Sequence, residues 1–260
     1  MTSDLDLILN AAKDAALVAV DLRAKGLAVE YKEGGSPVTN GDLAVDALLK
    51  ERLMAARPDY GWLSEETPDD PARLAKRRLF LVDPIDGTSA YVKGRDWWTV
   101  CIGVVEDGRP IAGVVIAPAL GEVYQAEAGQ GARLNGASIQ VSKRAELARC
   151  SMLGDPRLFA DPRWPKPWPE MTIEARNSVA YRMCLVASGA FDACLAPSPK
   201  HDWDMGAADI IVTEAGGRAT DNQSRAFLYN RPIPSQFGLA CSGPALHPLL
   251  IERLAHIEAP

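Results

Sequence analysis

The sequence predicts an α+β fold. Two amphipathic helical stretches open the chain, an antiparallel strand meander follows them, and the remainder alternates helix with strand. Residues 5–25 place Leu5, Ile8, Leu9, Ala12, Ala16 and Val20 on one helical face. "GDLAVDALLKERLMAARP" reads as a second helix with Pro58 beyond its end. "RRLFLVD" is a short strand. "WWTVCIGVVEDGRPIAGVVIAPALGEVYQAEAG" reads as strand, Asp-Gly turn, strand and a further strand. "NSVAYRMCLVASGAFDACLA" is a helix, a glycine break and a strand, and "DMGAADIIVTEAGG" is a helix closed by Gly216 and Gly217. Segment 154–170 carries five prolines and is expected to be a loop, either a lid or a connection. The expectation is one domain over residues 1–260 with two halves, about 1–145 and 146–260.

Of the 260 residues, 47% are apolar, enough for one large core or two halves sharing an interface. The net charge of −6 with no basic block argues against a nucleic acid polymer as partner. No apolar stretch approaches a membrane span, and the acidic, amphipathic start is unlike a signal peptide. Five cysteines, odd in number and without a C-x-x-C pair, suit buried reduced thiols in a cytoplasmic protein.

"FLVDPIDGTSAYVKG" ends an apolar run on two carboxylates, Asp83 and Asp86. Pro, Asp and Gly together are ordinary turn chemistry, so both could be solvated turn residues. They are not alone, however. "WLSEET" places Glu65 and Glu66 after a short strand, and Asp204 and Asp42 each open a helix. Each has a bland reading as a cap or a solvated charge. Converging on one point they would repel unless a cation joined them, and oxygen-only ligands suit Mg²⁺ rather than Zn²⁺. His201 stands near these motifs without zinc-binding partners, so it reads as a structural or surface residue. "DGTSA" adds backbone N–H groups and the Thr88 and Ser89 hydroxyls at a helix start, a geometry that binds anions. Cations beside a phosphate cradle point to phosphoryl chemistry.

"LSEET", "VDPIDGTSAYV" and "DWDMGAADIIVTEAGG", with "SPVTNGD" upstream, resemble the signatures of the inositol monophosphatase superfamily, the lithium-sensitive magnesium phosphatases. The four blocks run in order from about residue 32 to residue 217. The resemblance implies a layered α-β-α-β-α sandwich, the inositol monophosphatase (sugar phosphatase) fold, and a homodimer. It implies two or three Mg²⁺ ions, with Glu65, Asp83 and the Ile85 carbonyl at the first metal. Asp83, Asp86 and Asp204 would hold the second. Asp42 and Thr88 would position and deprotonate the attacking water with Glu66 in support, and Gly87, Thr88, Ser89 and Asp204 would meet the phosphorylated substrate.

Two departures qualify the substrate. Ser64 stands where the pattern usually has glycine. No glutamate lies between Asp192 and Asp204, where inositol-specific members carry one that contacts the ring. "YKEGGSPVTNGD", "FLVDPIDGT" and "GVVIAPALGEVY" are more like bacterial 3'(2'),5'-bisphosphate nucleotidases, which makes adenosine 3',5'-bisphosphate the leading substrate. Inositol 1-phosphate, histidinol phosphate and fructose 1,6-bisphosphate stay open as alternatives. Lys200 or Arg182 could meet a second phosphate, unless they are ordinary surface charges. A regulator that binds phosphate without turnover would need a broken ligand set, and every expected carboxylate is present. "AGQGARLNG" contains Gly129 and Gly131 but follows a meander, which fails the context a dinucleotide-binding loop requires.

Overall fold

Helix α1 (Asp4–Lys25) starts where the Ser3 hydroxyl accepts the Asp6 N–H at 3.0 Å, with Asp4 and Asp6 in its first turn and Arg23 and Lys25 in its last. These charges complement the helix dipole at both ends. The computed structural model describes residues 2–255 and Ile257. After α1 comes a small hairpin, β1 (Val29–Tyr31) and β2 (Pro37–Thr39). Helix α2 (Asn40–Ala56) follows, opened by a capping box in which Thr39 and Asp42 satisfy each other's backbone N–H groups.

The meander forms a seven-stranded sheet whose spatial order follows the chain. Its strands are β3 (Gly61–Ser64), β4 (Arg78–Asp86), β5 (Thr99–Glu106), β6 (Arg109–Ala117), β7 (Glu122–Glu127), β8 (Ala132–Leu134) and β9 (Ala137–Ser138). The Asp-Gly turn lies between β5 and β6, as expected, and a short helix, α3 (Thr88–Val92), leaves the end of β4. The strand read as "RRLFLVD" is longer than expected. It passes through both aspartates, pairing Asp83 with Cys101 and Asp86 with Thr99. One extra residue on β4 is absorbed between those two pairs. In a regular strand, residues three apart face opposite sides. The bulge reverses that parity, so Asp83 and Asp86 face the same pocket, and Pro84 falls where its missing N–H is tolerated.

The second half contributes β10 (Ser151–Leu153), a one-turn helix α4 (Pro156–Phe159), β11 (Thr172–Glu174), α5 (Val179–Ala187) and β12 (Ala193–Ala196). Then come β13 (Lys200–His201), α6 (Asp202–Glu214), β14 (Arg218–Thr220), β15 (Ser235–Gln236), β16 (Leu239–Ser242) and α7 (His247–Leu254). A mixed five-stranded sheet runs β11-β10-β12-β16-β14. Helix α6 ends as its sequence announced: the Gly216 N–H bonds to Thr213 and the Gly217 N–H to Val212, with Gly216 at φ 80°.

Helices α1 and α2 cover one face of the seven-stranded sheet, α5 and α6 fill the space between the two sheets, and α7 covers the outside of the smaller sheet. The result is the α-β-α-β-α sandwich. Helix α6 lies flat against the seven-stranded sheet because small residues meet there: a Cβ at Gly113 on β6 would run into the Ala207 carbonyl, and one at Gly206 into Leu81 on β4. That contact fixes the direction in which the start of α6, and with it Asp204, points. Segment 154–170 is a tied-down connection. Phe159 and Trp164 are buried against Leu246, Leu250 and Leu254, and Trp168 stacks edge-on against both aromatics. All five cysteines are buried free thiols. Among the described residues, no helix is long and apolar enough to cross a membrane.

Candidate active site

The ends of β3, β4 and α6 meet at a pocket of about 210 Å³ lined by Ser36, Pro37, Glu65, Asp83, Asp86, Gly87, Thr88, Ser89, Asn177 and Asp204. Seven of the expected site residues are therefore brought together. Asp42, Glu66 and Ile85 stand behind this lining, linked to it through bonds. The Thr88 hydroxyl lies 3.0 Å from Asp42 Oδ1 and 3.1 Å from the Ile85 carbonyl oxygen. Glu66 shares Lys32 with Glu65, the ammonium reaching Glu65 Oε1 at 2.9 Å and Glu66 Oε1 at 2.7 Å.

The helix-capping reading of Asp42 and Asp204 holds, and capping engages only one oxygen of each carboxylate. Asp42 Oδ2 accepts the Thr39 N–H at 2.8 Å and the Thr39 hydroxyl at 2.5 Å, leaving Oδ1 for Thr88. Asp204 Oδ2 accepts the His201 N–H at 3.0 Å, while the residue still lines the pocket. His201 itself is exposed and stacks on Trp203 with ring centroids 4.5 Å apart, a surface role as expected. Gly87 caps α3 at φ 93°, a left-handed conformation that glycine adopts without steric cost.

Electrostatics mark the pocket as frustrated. Burial, then repulsion from Glu65, Asp86, Asp204 and Asp42, pushes the Asp83 carboxyl well above the usual carboxylate range. Burial and Asp86 push Asp204 up to about 8. Burial lifts Asp86 to about 6, eased by bonds from the Ser178 hydroxyl at 2.6 Å and the Ala180 N–H at 2.7 Å. Burial raises Asp42, and it raises Glu66 to about 7 even with Lys32 bonded, since that one cation serves two carboxylates. Burial alone would lower the Lys32 ammonium, but its bonds to Glu66 and Glu65 more than offset this and raise it.

Among the described residues, no three His, Cys, Asp or Glu side chains already stand close enough to grip one ion. Each carboxylate but Asp83 already has a partner of its own: Lys32 bonds Glu65, Ser178 and Ala180 bond one oxygen of Asp86, and the His201 N–H bonds one of Asp204. The donor set nonetheless fits Mg²⁺. Every donor is oxygen, and Asp83 Oδ1 is buried with no hydrogen-bond partner, an expensive state for a carboxylate oxygen and the ordinary state of a metal ligand. A cation bound by Glu65 would have to compete with Lys32.

Several participants were not legible as such in the sequence. Lys32 lies in the quoted "YKEGGSPVTNGD" block, where nothing local points it at Glu65 and Glu66. Ser178 is signalled only as the N-cap of α5, yet the same hydroxyl holds Asp86. Ser64, the departure from the family pattern, donates to Asp46 on α2 at 2.5 Å. A larger cavity of about 560 Å³ lies at the far end of α6, lined by residues 138–143, Glu214 and Pro244 among others. Its one carboxylate, Glu214, is already engaged by the Gly129 and Gly131 N–H groups at 2.8 Å each. Those glycines therefore serve a hairpin turn and not a dinucleotide, and it is chemistry rather than size that makes the carboxylate pocket the candidate site.

A model of the inositol monophosphatase family matches residues 3–259. A histidinol-phosphatase of Chlorobaculum parvum is 34% identical over 235 residues, 86% of this chain and 88% of that protein. The 3'(2'),5'-bisphosphate nucleotidase CysQ of Escherichia coli K12 is 30% identical over 230 residues, 86% of this chain and 93% of the other. Among solved structures, the Thermotoga maritima IMPase superposes with a TM-score of 0.84 at 27% identity, covering 96% of each chain.

Proposed function

The chain belongs to the inositol monophosphatase family, whose enzymes are metal-dependent phosphatases, generally with Mg²⁺, and from that premise we propose that it hydrolyses adenosine 3',5'-bisphosphate by attack of water on the 3'-phosphate. The chemistry rests on one observation above the rest: Glu65, Asp83, Asp86 and Asp204 line a single pocket beside Gly87, Thr88 and Ser89. In this reading those four carboxylates and the Ile85 carbonyl hold two or three Mg²⁺ ions. Bound Mg²⁺ would polarise the phosphate and neutralise charge on the leaving oxygen.

The protein's own part is to place and deprotonate water. Of the two acceptors within reach of the Thr88 hydroxyl, this reading gives its proton to Asp42 Oδ1, which leaves the hydroxyl oxygen as an acceptor for a water proton. Burial raises the proton affinity of Asp42, and Thr39 fixes its other oxygen, so Asp42 is a positioned base at the end of a short relay. Glu66, buried and lifted to about 7, supports the same proton balance. Gly87, Thr88 and Ser89 receive the phosphate.

The choice of a bisphosphate rests on charge. Arg182 on α5 is buried and acts electrostatically on Asp86. Lys200, its ammonium donating to Ser198 Oγ at 2.9 Å and the Pro199 carbonyl at 3.0 Å, feels Asp204, Asp86 and Arg182. Two cations beside the site suit a second phosphate. An inositol ring offers hydroxyls, and segment 192–204 supplies no glutamate to accept them. Histidinol phosphate is the second reading, favoured by the 34% identity to the Chlorobaculum enzyme. Its ammonium, however, would face Arg182 and Lys200 with the wrong sign. Side-by-side kinetics on the three esters at one Mg²⁺ concentration test this. The bisphosphate should lead in kcat/KM by about tenfold or more, the worth of one bond to a charged group. A lead for histidinol phosphate would overturn the substrate and leave the chemistry standing.

A further inference from the structure

Asp46 lies on α2 one turn after Asp42, and it is buried. Among the described residues its carboxylate is bonded by hydroxyls and not by a cation. Its two oxygens take one hydroxyl each: Oδ1 accepts from Ser64 Oγ at 2.5 Å and Oδ2 from Thr67 Oγ1 at 2.5 Å. Ser64 and Thr67 are the residues on either side of Glu65 and Glu66. The Ser64 hydroxyl oxygen also accepts the Glu66 N–H at 3.4 Å, and the Glu65 N–H reaches the Val82 carbonyl at 3.3 Å. The turn S-E-E-T is thus held at both ends by one side chain of the helix that also carries Asp42.

A buried carboxylate without a cation is a costly way to close a four-residue turn, and apolar packing would cost less. What the carboxylate adds is orientation. Its two oxygens are rigidly related, so fixing a hydroxyl on each sets the spacing of Ser64 and Thr67 and the direction in which Glu65 and Glu66 leave the backbone. We propose that Asp46 is a positioning residue for metal binding: it holds the Glu65–Glu66 turn in register with Asp83 and Asp42, so that Glu65 can turn from Lys32 to a cation without the backbone having to reorganise. The inference rests on the metal-dependent reading above. It assigns Asp46 no contact with substrate or metal.

The test is calorimetric titration of Mg²⁺ into substrate-free protein, with the Tm of each metal-free variant measured alongside and all titrations run well below the lowest Tm. Asp46→Ala removes both bonds and should weaken Mg²⁺ binding on the order of 10- to 100-fold, the usual cost of losing a group that orients a metal ligand. Asp46→Asn keeps the shape and can still bond both hydroxyls, so its affinity should stay within about threefold of wild type. Ser64→Ala, which leaves Asp46 in place and cuts one bond, should fall between the two and carries the test if Asp46→Ala does not fold. A merely structural Asp46 would lower Tm and leave Mg²⁺ affinity unchanged, and that result overturns the proposal. So does an Asp46→Asn variant as weak as Asp46→Ala, because charge and not orientation would then be responsible. Wild-type protein that binds no Mg²⁺ would remove the metal reading itself, a different outcome from wild-type binding that the variants fail to disturb.

Discussion

Replacing Ser178 by alanine should destabilise the metal-free protein by an amount that the structure allows to be worked out. Ser178 is fully buried, and its single hydroxyl has three partners. It donates to Asp86 Oδ2 at 2.6 Å, accepts the Tyr181 N–H at 2.9 Å as the N-cap of α5, and lies 3.0 Å from Thr99 Oγ1. Loss of an N-cap hydroxyl costs about 0.5–2 kcal/mol. Loss of a hydrogen bond to a charged acceptor costs about 1.5–3 kcal/mol. Both effects pass through one atom, and Asp86 keeps the Ala180 N–H at 2.7 Å, so they do not add in full. The expected loss is about 2–4 kcal/mol, or roughly 4–15 °C in Tm for a chain of this size. Thermal denaturation followed by circular dichroism measures it, with Ser188→Ala as control. That hydroxyl is only half-buried, bonds a carbonyl at 3.1 Å, and should cost under about 1 kcal/mol. A Ser178→Ala Tm within about 2 °C of wild type would refute the claim that this hydroxyl carries both the cap and Asp86.

Thr88→Ala should lower kcat by about 10²–10⁴-fold and leave Mg²⁺ affinity nearly intact, whereas Asp83→Asn should lower both; equal loss of affinity in the two variants would show that Thr88 has been misassigned. Lithium should inhibit in an uncompetitive or mixed manner with respect to substrate, and purely competitive inhibition in steady-state kinetics would contradict a lithium site formed at Asp86 and Asp204 after the ester is cleaved. His247 is buried at the start of α7, and burial, then Arg218, lowers its pKa to about 4. Between pH 6.5 and about 4 the unfolded chain takes up a proton that the folded chain refuses, so this residue's contribution to stability is complete above pH 6.5 and is lost as the pH falls. The drop in Tm from neutral to acid pH should accordingly be smaller in His247→Gln than in wild type, and an unchanged drop would exclude His247 as a source of acid lability.

The α+β class was legible because it is carried by local signals: helical periodicity over 5–25, a DG turn inside a meander, GG closing α6; the layered sandwich and the grouping of the carboxylates into one site followed only from the resemblance of four motifs to a known family. What the chain did not reveal depends on pairing between distant segments. That Asp83 and Asp86 share a face requires the extra residue on β4, and the bulge exists only relative to β5. The five-stranded sheet mixes parallel and antiparallel pairs of strands only three or four residues long, too short to carry a period of their own. Lys32 and Asp46 carry no signal in the sequence that sets them apart from other charged residues. Only folding brings the first to Glu65 and Glu66 and closes the second over Ser64 and Thr67.

If the carboxylate pocket works through a divalent cation, removing that cation must abolish turnover. Phosphate release from adenosine 3',5'-bisphosphate by chelator-treated protein tests this most directly. No release should occur in excess chelator, and added Mg²⁺ should restore it. Ca²⁺ should restore it poorly, because its ligands sit at about 2.3–2.6 Å against about 2.0–2.1 Å for Mg²⁺. Full turnover in excess chelator would contradict the central claim, since Glu65, Asp83, Asp86 and Asp204 would then share a pocket for some purpose other than holding a metal.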